Sequence, residues 1–168
     1  SVTQFSLVIG MFLTAMGIGA YLSKFIEKNL LQRLILIEMG VGCIGGIAAA
    51  LGFAAFAYTA AYGMVLTLLV ITIGILVGME IPLVIRILRN SVGLEITLAH
   101  VMSLDYVGAL LASLIFPFVI LPQLGLIRGS FLMGFLNIGI ALYLIHSVKG
   151  PMVGRQKLNG LGFSLLFL

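Results

Sequence analysis

Three carboxylates are set into otherwise aliphatic stretches: Glu38 in "LILIEMGVGC", Glu80 in "LVGMEIPLVI" and Asp105 in "HVMSLDYVGA". Acids so placed can neutralise a cation or hold a proton. Glu38 lies five residues past Arg33, Glu80 lies six before Arg86, and Asp105 lies five past His100. At about 1.5 Å per residue, each would sit roughly 7 to 9 Å inside the boundary that the basic residue marks. An ionised group at that depth costs up to about 3 kcal/mol, less towards the interface and less again with a partner. Two readings follow. In the plainer one the acids pair with Arg33, Arg86 or Arg89, or with backbone groups around Pro82, whose missing N–H leaves the Gly78 carbonyl without its usual donor. In the other, Glu38, Glu80 and Asp105 form a shallow acidic layer that receives a cation or a proton. The nearby arginines favour internal pairing, but both readings stay open.

What must position these acids follows from the solvent. With 62% hydrophobic residues, 8% charged residues and a mean hydropathy of +1.29, the chain carries more apolar side chain than a soluble domain can bury. It reads as an integral membrane protein. Backbone polar groups in lipid must be satisfied within their own segment, and the runs lack the alternation of barrel strands, so the expected fold is all-α. The polar breaks predict a polytopic transmembrane helix bundle of five full spans, about 3–22, 34–56, 62–85, 101–121 and 129–147, plus the start of a sixth near Leu158. The whole of 1–168 is expected to be one transmembrane domain. "GFAAFAYTAAYG" between the second and third spans has no charge and reads as a very short turn.

Eight of the nine Lys and Arg residues fall in three loops: Lys24, Lys28 and Arg33; Arg86 and Arg89; and Lys149, Arg155 and Lys157. Only Arg128 falls on the other side. The positive-inside rule therefore puts those loops in the cytoplasm and the chain's start outside, which suggests a preceding span. Arg128 faces a side with no acid, and a lipid phosphate or the end carbonyls of the fourth span would be its partner. The net charge of +4 is dispersed among loops, so no nucleic-acid face is expected.

Other patterns have plain explanations. "GVGCIG", Gly40 to Gly45, matches a dinucleotide fingerprint but lies inside a predicted span instead of at a strand-to-helix turn. Cys43 is the single cysteine, and His100 and His146 fall at span ends, so no disulfide, metal or triad site is expected. Small residues pair at helix-packing spacing in Ala15/Gly19, Gly42/Gly46, Gly74/Gly78 and Gly108/Ala112. Pro82 and Pro117 are predicted to kink their helices, and Asn137 to hydrogen-bond to a neighbour.

Four stretches in order and spacing, "SVTQFSLVIGMFLTAMGIGAYLSKFI", "GMEIPLVIRIL", "SLDYVGALLASLIFPFVILPQLGLIR" and "GFLN", resemble the membrane domain of bacterial membrane-bound spermidine synthases, the polyamine aminopropyltransferase family. The resemblance reaches to about His146 and is strongest at Glu80 to Leu83 and Asp105 to Leu110. It implies a bacterial inner-membrane domain with a span before Ser1, followed by a cytoplasmic domain of Rossmann-type methyltransferase fold. That domain would transfer an aminopropyl group from decarboxylated S-adenosylmethionine to putrescine. Residues 1–168 contain no glycine-rich nucleotide loop of that kind, so the expectation for this stretch is no catalytic residue and no cofactor. The expected partners are the lipid bilayer, a polyamine at the acidic layer, and other membrane subunits. The rival readings are a non-catalytic accessory subunit and a secondary-transporter fragment; the apolar middle of each span counts against the latter.

Overall fold

A computed structural model describes the backbone of residues 2–149, with the side chains of 89–92 and 147–149 outside the description. Five α-helices follow one another: α1 Val2–Leu22, α2 Leu30–Tyr58, α3 Tyr62–Val92, α4 Leu94–Ile115 and α5 Leu121–Lys149. A 3-10 turn, Ser23–Phe25, follows α1, and a π-turn, Phe116–Ile120, joins α4 to α5. No strand occurs among the described residues. The predicted short turn between the second and third spans is three residues, 59–61. The start of the sixth span and the loop with Arg155 and Lys157 lie outside the described residues.

Four segments are long and apolar enough to cross a membrane: Val2–Phe25, Leu30–Tyr58, Tyr62–Leu88 and Leu94–His146. The expected fourth and fifth spans, 101–121 and 129–147, thus fall in one helical run. Its break is Gly125, whose φ of 74° and ψ of 174° are not helical. Only glycine adopts that conformation without strain. Past it the chain bends sharply. A straight helix would separate residues 116 and 129 by about 20 Å, whereas a Cβ built on Gly129 would lie 3.0 Å from the Ile120 side chain and 3.6 Å from that of Phe116.

Pro117 sits in the π-turn, where the N–H of Leu121 bonds the Phe116 carbonyl five residues back. The wider turn accommodates a ring that would otherwise crowd the carbonyl four residues earlier. Pro82, by contrast, lies inside α3 with helix on both sides.

Glycine contacts set the helix order. A Cβ on Gly19 would run into the Ile75 backbone, one on Gly78 into the Met16 backbone, and one on Gly74 would come 2.7 Å from the Ala15 Cβ. The pairs Ala15/Gly19 and Gly74/Gly78 therefore hold α1 against α3. Gly42 and Gly46 meet Gly134 of α5 in the same way, and the Ser130 hydroxyl donates to the Gly46 carbonyl at 2.9 Å. Such close approaches gain dispersion contacts and bury a polar bond where lipid cannot compete. The fourth pair differs: around Gly108 there is open space. Among the described residues, α4 touches only α3 apart from the π-turn.

The best-buried side chains, Leu34, Leu83 and Leu144, join α2, α3 and α5 in one core that α4 enters through Val101. Elsewhere large apolar side chains point away from protein, Phe5 at 70% exposure and Phe118 at 75% among them. "GVGCIG" is plain α2 helix, with no strand before it.

Candidate functional site

Glu38 projects from α2 into the contact with α3 and is 3% exposed. Glu80, on α3, is half-buried, and its Oε1 is fully buried with no hydrogen-bond partner among the described residues. Asp105 stands on α4 with its side chain uncovered by protein. Both Glu38 and Asp105 lie within electrostatic range of Glu80. Glu80 thus feels an acid from α2 and another from α4.

The local sequence accounts for the placement. Glu38 follows Leu34 and Ile37 on the core face of α2, and Glu80 precedes Leu83 and Val84 on that of α3, so the packing of those aliphatic residues carries the carboxylates inward. Met16 closes over Gly78, one turn before Pro82. Asp105 lies one turn beyond Val101, the residue by which α4 joins the core.

Arg33 and Arg86 do not pair with the acids among the described residues. Arg86 donates from Nη1 to the Ser23 carbonyl at 2.8 Å, bracing α3 against the turn after α1, while Ser23 itself donates from Oγ to the Ala20 carbonyl at 2.7 Å. Arg33 is exposed on the first turn of α2. The side chain of Arg89 lies outside the described residues. Among the described residues, no arginine pairs with Glu38, Glu80 or Asp105.

Of the remaining expectations, His100 and His146 are exposed, and among the described residues no group of three His, Cys, Asp or Glu side chains could hold a metal ion. Asn137 makes no hydrogen bond among the described residues. The interhelical bond comes instead from Ser130, which sequence reasoning passed over although Ser130 and Gly134 stand four apart like the other small pairs. The Arg86–Ser23 brace had no sequence signal, because the two are 63 residues apart.

Chemically, a buried carboxylate oxygen with no donor and two further acids in range is an acceptor for a positively charged donor or a proton. The fold defines a helical domain with the composition of a membrane protein.

Comparison with known proteins gives the family. The chain is 48% identical over 143 residues to the polyamine aminopropyltransferase of Leptospira interrogans, covering 85% of this chain and 29% of that protein. It is 42% identical over 163 residues to polyamine aminopropyltransferase 2 of Ralstonia nicotianae, covering 95% and 32%. With the enzyme of Mycobacterium tuberculosis the identity is 37% over 165 residues, covering 93% and 32%. The chain belongs to the polyamine aminopropyltransferase family, and spans about a third of the length of these curated relatives. No protein-family profile matches it, and no solved structure does.

Proposed function

We propose that this chain is the membrane-spanning domain of a polyamine aminopropyltransferase, the enzyme class that transfers an aminopropyl group to putrescine, and that it anchors the enzyme in the bacterial cytoplasmic membrane. The observation that carries this reading is 48% identity over 143 residues to a protein of that name, within a stretch made of apolar helices. In this reading Leu94–His146 crosses twice, reversing at Gly125. With five crossings, the positive-inside rule favours a cytoplasmic side for the loops bearing Lys24, Lys28, Arg33, Arg86 and Arg89.

The acid layer then faces the compartment where polyamines are made. Glu38, Glu80 and Asp105 receive an ammonium group of a polyamine, with the buried Glu80 Oε1 as principal acceptor. Calorimetric titration of spermidine into the detergent-solubilised chain tests this role. We expect Glu80→Gln with Asp105→Asn to weaken binding at least tenfold, roughly the worth of one charge-assisted hydrogen bond. Unchanged binding would leave the domain as an anchor only.

A further inference from the structure

The turn between α1 and α2 borders an open pocket of about 390 Å³ lined by Phe25, Ile26, Glu27, Lys28 and Arg33. Its wall has two characters. Phe25, 66% exposed, and Ile26 offer apolar surface where α1 ends, while Glu27, Lys28 and Arg33 put one negative and two positive charges beside it. None of these three charged side chains pairs with another group among the described residues. The fourth charge of the turn is engaged differently, since the Lys24 ammonium sits 3.6 Å over the Tyr21 ring and 4.9 Å from that of Phe25.

We propose that this pocket binds the headgroup of a phospholipid carrying both a phosphodiester and a primary ammonium, of which phosphatidylethanolamine is the simplest. The phosphodiester lies between Lys28 and Arg33, whose guanidinium can take two phosphate oxygens at once. The primary ammonium donates to the Glu27 carboxylate, and the upper acyl chain covers Phe25 and Ile26. Two features favour a fixed headgroup contact. Asn29 takes a left-handed conformation, φ 55°, and starts α2 without a side-chain cap, so the first N–H groups of that helix open towards the same turn. The Arg86–Ser23 bond ties the turn to α3. The acid in the wall sets the site apart from one made for a purely anionic lipid, because Glu27 repels a headgroup that has no ammonium to offer. The inference requires only that α1 and α2 lie in a bilayer, and it is independent of the polyamine reading.

The test is native mass spectrometry of the delipidated full chain offered equal amounts of phosphatidylethanolamine, phosphatidylglycerol and phosphatidylcholine with the same acyl chains. We expect phosphatidylethanolamine to be retained roughly tenfold over both others, the factor given by one charge-assisted hydrogen bond. Glu27→Gln should bring phosphatidylethanolamine down to the level of phosphatidylglycerol, and Lys28→Gln with Arg33→Gln should reduce all three, with the detergent melting temperature unchanged in each variant. Equal retention of the three lipids by the unaltered chain overturns the proposal before any variant is made. A preference that survives Glu27→Gln overturns it as well.

Discussion

Among single residues, Glu80 discriminates most sharply between the two readings of the acids. Its Oε1 is buried without a donor and has Glu38 and Asp105 in range. A buried acceptor left unmade costs about 1 to 3 kcal/mol. Glutamine at this position keeps the shape, cannot take on a negative charge beside the other two acids, and adds an N–H that the Glu38 carboxylate can accept. Glu80→Gln should therefore raise the melting temperature of the solubilised chain by a few degrees, about 1 kcal/mol, when no polyamine is present. Added spermidine should stabilise the original chain and not the variant. A fall in melting temperature would mean instead that Glu80 is held by an internal cation, with Arg89 the candidate. The presence of acids in apolar runs was legible in the sequence because each stood five or six residues from a basic residue or a histidine. Which arginine would meet which acid was not, since that depends on the rotation of three helices about their axes, and Arg86 turned to the Ser23 carbonyl instead.

Among elements, the glycine contacts rank the helix pairs. At Gly78 a Cβ would overlap the Met16 backbone, which cannot move without shifting α1, whereas at Gly108 nothing lies within 4 Å. Gly78→Val should cost at least about 2 kcal/mol through overpacking and separate α1 from α3. Gly108→Val should be nearly neutral. Thermal melting in detergent checks the pair, and equal losses at the two sites would contradict the packing described. Three of the four small-residue pairs legible in the sequence lie at close helix contacts, because spacing by four places both members on one face. Gly108 and Ala112 share that spacing, yet the pattern alone cannot tell a face that meets a helix from one left open. The helix ends Leu22, Tyr58 and Tyr62 were legible to within two residues, whereas α3 runs seven residues past the expected end at 85 and α4 starts seven before the expected 101, because a polar residue ends an apolar run without ending a helix. The π-turn at Pro117 and the reversed φ of Gly125 were not, since hydropathy has no record of backbone angles.

For the molecule as a whole, the question is how the run Leu94–His146 is laid across the bilayer. Its 53 residues would extend about 80 Å as one straight helix, more than twice the roughly 30 Å hydrocarbon core, and it bends at Gly125. Two crossings joined at that bend put Arg128 on the side opposite Lys28 and Arg33. They also agree with the eight-to-one split of basic residues, because an odd number of crossings would move Lys149 across the membrane from Arg86. The assignment is checked by placing single cysteines in a Cys43→Ser background and treating intact cells with a membrane-impermeant maleimide. Arg128→Cys should be labelled in intact cells, and Lys28→Cys only after the cells are opened. Labelling of both before opening, or of Lys28→Cys alone, would mean that the run does not reverse at Gly125 or that the basic loops face outward. An acid layer turned to the outer side would then have no access to cytoplasmic polyamines, so the same experiment decides whether Glu38, Glu80 and Asp105 can take the proposed role.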